Sequence, residues 1–161
     1  MDWSFVKKSY NYIQLPFIRK SSIYKNGNAL YCKEFIALDT ETSWNHDLEN
    51  PFGWIYQWCF ALGEQIIIGR KPSELVSQLE YIREAYKLDK NRRMVVYVHN
   101  LSYDIQYLMM QLRKAFNSEP KILAIKSHKI LTFYISGFEF RCTYLLSNMS
   151  LDAWSKQLNC R

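Results

Sequence analysis

Apolar residues recur with the spacing of strands in some segments of the chain and with the spacing of helices in others. This pattern predicts a mixed α/β domain. The short apolar run Phe35–Leu38 is typical of a buried strand, because it is brief and bounded by polar residues. A second such strand is predicted over Met94–Val98. The apolar positions after it recur every three or four residues from Ile105 to Phe116, which predicts a helix beginning near Asp104.

The remaining segments complete the predicted sheet and its helices. Trp54–Leu62 and Gln65–Ile68 predict a hairpin that turns at Gly63-Glu64, and Pro72 and Ser73 predict the start of a helix. Three more strands are predicted downstream, over 122–125, 130–135 and 138–145. A last helix is predicted after them, capped by Ser150, with Leu151, Trp154 and Leu158 on one face. A mixed β-sheet flanked by helices accounts for this order.

Composition and charge narrow the class of protein. A chain of 161 residues with 48% hydrophobic and 16% aromatic residues is long and apolar enough for one domain with a packed core. Its 21 Lys and Arg residues against 15 Asp and Glu give a net charge of +6, which favours an anionic partner such as nucleic acid. Aromatic and basic residues are interleaved at the start, so we divide the chain into a lead-in, residues 1–34, and a domain, residues 35–161.

The cysteines and the hydropathy of the chain predict its surroundings. The four cysteines lack the spacing of a zinc site or of a disulfide framework. No segment has the length and apolarity of a membrane span or of a secretory signal. We therefore expect reduced thiols, no membrane association and a cytoplasmic location.

Three carboxylates follow the two predicted core strands. Asp39 and Glu41 stand at i and i+2, so they should project side by side from one face of the first strand. Like charges at this separation favour a bound cation, and Mg²⁺ or Mn²⁺ prefers such oxygen ligands. Asp104 follows the second strand. All three fall where open α/β sheets place their sites.

A purely structural interpretation stays open for the same residues. In an unrelated α/β domain, Asp39 and Glu41 would end a strand and Asp104 would cap the following helix. His99 would then be a hydrogen-bonded residue at a strand end and not a phosphate contact. The basic turn at 126–129 would be a solvated hairpin tip.

The segments around the carboxylates carry a family resemblance. ALDTET, residues 37–42, resembles the first motif of the DnaQ-like 3′–5′ exonucleases, and HNLSYDIQYL, residues 99–108, resembles the second. The form Asn-Leu-x-aromatic-Asp is most similar to the exonuclease domain of protein-primed family B DNA polymerases of phages and linear plasmids. FRCTYLLSNMSLDAWSKQL, residues 140–158, resembles a further segment of that domain, usually with Asp-Ser where this chain has Cys142-Thr143. The resemblance spans about Phe35 to Leu158.

This resemblance implies an RNase H-like (DnaQ-like) fold and a proofreading activity that hydrolyses the 3′-terminal phosphodiester of single-stranded DNA. It implies that Asp39, Glu41 and Asp104 are catalytic residues and ligands of Mg²⁺ or Mn²⁺ in a two-metal site. The residues implied to bind the DNA are Thr42, Asn100, Leu101, Tyr103, Thr143 and Tyr144. The implied partners are a primer 3′ end, a terminal protein and a downstream polymerase portion, in the cytoplasm of a host cell.

One family motif is missing from the chain. The third exonuclease motif, Tyr-x-x-x-Asp, stands on a helix beyond the Cys142-Thr143 segment, and this chain ends before it; the polymerase motifs are missing too. We therefore expect a domain that is incomplete at its C-terminus, with a metal site that lacks one carboxylate. The loss of this ligand should severely reduce the exonuclease activity. The alternative is a catalytically inactive module on the same fold that binds nucleic acid or a terminal protein.

Overall fold

The computed structural model describes residues 23–46, 49, 51–63 and 65–158, so most of the predicted lead-in lies outside the described residues. The described strands are β1 Ile23–Asn26, β2 Ala29–Trp44, β3 Gly53–Leu62, β4 Gln65–Gly69, β5 Arg92–Val98, β6 Lys121–Lys126, β7 Lys129–Ile135 and β8 Phe138–Cys142. The described helices are α1 Pro72–Tyr86, α2 Leu101–Phe116, α3 Tyr144–Ser147 and α4 Leu151–Gln157. Their order confirms the predicted mixed α/β class.

The eight strands form one mixed sheet in the order β4-β3-β2-β5-β8-β7-β6, with β1 paired to the start of β2. β2, β5 and β8 are parallel neighbours, and the other pairs are antiparallel. Leu38 pairs with Val98, and Val98 pairs with Cys142. The chain therefore leaves all three parallel strands at one edge of the sheet, as expected of an RNase H-like fold.

The hydrophobic core lies between one face of this sheet and the helices α1 and α2. Each helix contributes a stripe of fully buried side chains, including Leu79 and Ile82 of α1 and Leu112 of α2. The opposite face, here called the open face, carries Phe35, which is 53% exposed. None of the helices among the described residues is long and apolar enough to span a membrane.

The strand that carries the acidic motif is longer and less buried than its sequence predicts. β2 has 16 residues and runs without a break across the predicted division after residue 34. Ile36 and Leu38 are buried against the helices, but Phe35 and Ala37 lie on the open face and are exposed. The prediction of a fully buried strand over Phe35–Leu38 is therefore wrong, because α1 and α2 cover only one face of the sheet.

Several predicted elements agree closely with the structure. β3 and β4 form the expected antiparallel hairpin, and Gly63 turns with a positive φ of 61°. Helix α1 begins at Pro72. Ser150 caps α4, since its Oγ accepts a hydrogen bond from the Ala153 N–H at 3.2 Å.

The third parallel strand ends earlier than predicted. The apolar segment predicts a strand to Leu145, but β8 ends at Cys142 and the chain turns into the short helix α3. The Thr143 N–H donates to the Val98 carbonyl at 3.0 Å, and the Thr143 carbonyl accepts from Leu146 and Ser147. These backbone bonds turn the chain over the end of β5, which sequence periodicity alone does not reveal.

Candidate active site

The two acidic segments meet where β2 ends and α2 begins. The Thr40 hydroxyl donates to Asp104 Oδ1 at 2.6 Å, and both residues are buried. Asp104 lies in the first turn of α2, which Asn100 caps with a left-handed φ of 62°. The alternative in which Asp104 caps the helix is therefore wrong.

Asp104 is held in an environment that resists its ionisation. Its pKa is raised from an ordinary 3.8 to about 6, mainly by burial and also by the negative charge of Asp39. The hydrogen bond from Thr40 acts in the opposite direction, because it stabilises the carboxylate. A carboxyl group with a strongly raised pKa beside a second carboxylate is typical of functional sites.

Asp39 and Glu41 project from the open face and are exposed, as their i and i+2 spacing predicts. Asp39 pairs with Cys59 of β3, and its charge adds to burial in raising the pKa of that thiol. A bulge lies between Glu41 and Thr42, where the register skips Tyr56 of β3. Such bulges bend a strand locally and often re-aim side chains beside active sites.

The hydroxyl groups of Thr42 and Tyr103 are hydrogen-bonded to each other, so two predicted DNA-binding positions are in direct contact. The ring of Tyr103, which is 39% exposed, meets Tyr107 edge to face at 5.6 Å between centroids. Trp44 meets the same Tyr107 ring at 6.5 Å. Beyond Thr42, the site is therefore bordered by partly exposed aromatic rings.

The other predicted DNA-binding residues lie at the start of α2 and directly after β8. Asn100 is exposed, and its carbonyl accepts from the Tyr103 N–H at 2.8 Å. The Leu101 side chain is fully buried and packs in the core. Thr143 Oγ1 is hydrogen-bonded to His99 Nδ1 at 3.1 Å, and Tyr144 meets the same His99 ring edge to face.

A cavity of about 610 Å³ opens on the open face beside these residues. Asp39, His99 and Thr143 line this cavity together with Trp154 of α4. The Trp154 ring stacks on His99 at 6.5 Å between centroids. The remaining wall is largely apolar, with Phe35, Ala37, Ala61, Ile66, Tyr97, Leu146 and Leu151 among its residues. The site thus borders a large apolar space.

Sequence reasoning misses two residues at this site. Thr40 stands between the two acidic residues and bonds Asp104, and its place inside the motif was the available signal. Trp154 is predicted only as part of an amphipathic stripe, although it also stacks on His99. His99 contacts Thr143, as expected of a hydrogen-bonded residue at a strand end, but it also contacts rings from α3 and α4.

The oxygen donors fit a hard divalent cation in type, but not in full number. Asp39, Glu41 and Asp104 would supply carboxylate oxygens, which Mg²⁺ and Mn²⁺ prefer. Within 23–46, 49, 51–63 and 65–158, no three His, Cys, Asp or Glu side chains are grouped so that they could hold a metal ion. The negative charge of Asp39 acts on Asp104, so these two carboxyl groups lie close enough to interact.

The raised pKa of Asp104 predicts a pH-dependent stability. Because the folded state keeps the proton up to about pH 6 and the unfolded state loses it near 3.8, the free energy of unfolding should fall as pH rises between these values. The stability lost is roughly 3 kcal/mol, and it should stay lost above about pH 6. Urea unfolding in EDTA across this range measures the effect.

An Asp104→Asn variant is the control for that measurement, since an amide does not titrate there. The difference between the wild-type and variant curves isolates Asp104 from the other carboxylates. A wild-type stability that runs parallel to the variant through this pH range would contradict the environment described for Asp104.

Comparison with other proteins gives a match among solved structures. Comparison with protein families and with curated proteins finds none. Among solved structures, the chain is similar to phi29 DNA polymerase complexed with primer-template DNA and incoming nucleotide substrates, with a TM-score of 0.57 and 9% sequence identity. The match covers 76% of this chain and 23% of the polymerase, so this chain spans about a quarter of that protein. At this identity the likeness shows a related fold.

Proposed function

We propose that this chain is the 3′–5′ exonuclease portion of a protein-primed family B DNA polymerase, which hydrolyses the terminal phosphodiester of single-stranded DNA. The observation that carries the proposal is the meeting of two motif segments about 60 positions apart. Thr40 bonds Asp104, and Thr42 bonds Tyr103. The fold shared with a DNA polymerase solved with primer-template DNA supports the same conclusion.

In this proposal the residues divide into those that bind a cation and those that place the DNA. Asp39 and Asp104, with Glu41 beside them, would hold Mg²⁺ or Mn²⁺. When bound, such cations activate a water molecule and stabilise the leaving 3′ oxygen. The Thr42–Tyr103 pair would position the terminal nucleotide, with the exposed part of the Tyr103 ring free to stack on a base.

The positions of Asn100, Thr143 and Tyr144 suggest a second row of contacts to the same strand. Asn100 presents an exposed side chain at the start of α2. Thr143 and Tyr144 both contact His99, and Thr143 also lines the 610 Å³ cavity. A DNA strand bound between α2 and α3 would thus touch side chains near the C-terminal ends of β2, β5 and β8.

The second candidate function is a binding module without catalysis. It is favoured by the donor set, because the described residues hold no group of three metal-binding side chains. In the exonuclease proposal, a further carboxylate would come from the third exonuclease motif. A polymerase portion and a terminal protein are the proposed protein partners.

Thermal unfolding with Mn²⁺ tests the proposed metal site. At about 100 times its dissociation constant, Mn²⁺ should stabilise the wild type by about 2.7 kcal/mol, a rise of about 5–10 °C in the midpoint. Asp39→Ala should lose this rise because it removes an oxygen donor. Glu84→Ala, which removes an exposed carboxylate of α1, is the matched control and should keep it. A rise that survives Asp39→Ala would exclude the proposed site.

A further inference from the structure

A second cavity, of about 310 Å³, opens at the end of the sheet where β2 and β5 begin. It lies between the β1–β2 turn and the turn before β5. The polar side chains that line it are those of Asn26, Asn28, Tyr31, Lys90, Asn91 and Arg93. This cavity is called the Lys90 pocket below.

The backbone walls of the Lys90 pocket are fixed by hydrogen bonds. Asp89 Oδ1 accepts from the N–H groups of both Asn91 and Arg92 at 2.7 Å. The Leu30 N–H donates to the Asn91 carbonyl at 2.6 Å, which joins the two turns. The pocket is therefore formed before any ligand arrives, so little ordering is needed on binding.

Positive charges around the pocket outnumber negative ones by three to two: Lys90, Arg93 and Arg141 against Glu139 and Asp89. Glu139 accepts from Tyr31 at 2.6 Å, from Arg93 at 3.2 Å and from Arg141 at 2.6 Å, so two guanidinium groups face one carboxylate. Lys90 is exposed and adds a further positive charge. Of the described residues that line the pocket, none has a carboxyl group. Cationic and amide donors in a preformed cavity suit an anion such as phosphate.

The pocket and the candidate active site share the open face. Tyr31 packs in one cluster with Tyr97, which lines the 610 Å³ cavity beside Asp39, so Tyr31 and Asp39 both lie on the open face. Tyr31 pairs with Arg93 and Leu38 with Val98, across a register irregularity between Tyr31 and Phe35. About six positions of β5 therefore separate the levels of Tyr31 and Asp39, roughly 20 Å along the strand. Between them lies Phe35, exposed and in edge contact with Tyr97 at 5.4 Å. Cationic groups with aromatic rings between them are typical of surfaces that bind single-stranded nucleic acid.

We propose that the Lys90 pocket binds a backbone phosphate of the single strand whose 3′ end lies at Asp39, with the strand crossing the open face over Phe35. This inference rests on the proposed function and adds a second contact to it. At the roughly 3.4 Å per nucleotide of a stacked strand, about 20 Å corresponds to about six nucleotides. A short oligonucleotide bound at Asp39 therefore does not reach the pocket.

Binding of two lengths of 5′-labelled oligothymidylate, a trimer and a dodecamer, tests this proposal by fluorescence anisotropy in Ca²⁺ or EDTA. Lys90→Gln should weaken dodecamer binding about fivefold and lower the slope of log K against log salt by about 0.7. Trimer binding should stay unchanged. Lys114→Gln, which neutralises an exposed lysine of α2, is the matched control and should change neither. Thermal unfolding establishes that both variants are folded.

The possible outcomes separate this inference from the proposed function. Equal dodecamer binding by Lys90→Gln and Lys114→Gln overturns the pocket, while the proposed function stands if Asp39→Ala still lowers trimer binding. A wild type that binds neither oligonucleotide overturns both. Binding of inorganic phosphate distinguishes the source of the anion. If phosphate binds the wild type but not Lys90→Gln, while both proteins bind the dodecamer equally, then the pocket binds free phosphate and the proposal is wrong.

Discussion

Asp104→Asn should slow the shortening of a 5′-labelled single strand in Mg²⁺ or Mn²⁺ at least about a hundredfold, because loss of even an outer-shell metal partner costs 10–100-fold. The same variant should be more stable than the wild type at neutral pH. Burial of the Asp104 carboxyl raises its pKa to about 6, so its ionised form is costly to keep in the folded protein. The amide oxygen of asparagine still accepts the bond from Thr40.

Stability gained as activity is lost is the signature that distinguishes a functional carboxylate from a structural one. Glu119→Gln is the matched control, because Glu119 is exposed and pairs with Arg113 on the surface. It should leave both activity and stability unchanged. The double variant Asp39→Ala/Glu41→Ala should also abolish shortening. An oligonucleotide left intact by the wild type would favour the module that binds without cleaving.

Phe140→Ala should destabilise the protein by about 3–5 kcal/mol, as expected when a large core side chain leaves a cavity. Phe140 is fully buried in β8, where it pairs with Val96 of β5 and Phe133 of β7. Its ring meets Phe133 at 5.6 Å and Phe138 at 6.4 Å between centroids. Urea unfolding of the wild type and the variant measures the loss.

Phe52→Ala is the control for this substitution, because it deletes the same side chain from a position that is 57% exposed. Its free energy of unfolding should stay within about 0.5 kcal/mol of the wild type. Equal effects of the two substitutions would contradict the position of the core between the sheet and α1 and α2.

Local patterns in the sequence predict the elements but not how much of each is covered. The stripes of α1 and α2 and the hairpin β3–β4 follow from residues close in sequence, and the structure agrees. The exposure of Phe35 and Ala37 does not follow in this way, because it depends on which face of the sheet receives helices. The periodicity of one segment carries no information about which face of the sheet the helices pack on.

The candidate site divides in the same way between local and distant information. The i and i+2 spacing places Asp39 and Glu41 on one face of β2 from sequence alone. The bond from Thr40 to Asp104 and the contacts of His99 with Tyr144 and Trp154 join residues distant in sequence. They depend on strand register, which a single sequence does not determine.

The parallel centre of the sheet has a consequence for the order of folding. Ile36 pairs with Val96, and Val96 pairs with Phe140, so both pairings close long loops of chain. The hairpins β3–β4 and β6–β7 join neighbouring segments and need little loop closure. The entropy cost of closing a loop comes before the stabilising contacts between distant segments can form. We therefore expect the hairpins to form early and the parallel pairs late. In this order of events, we expect the carboxylates of β2 and α2 to come together only when the parallel pairs form.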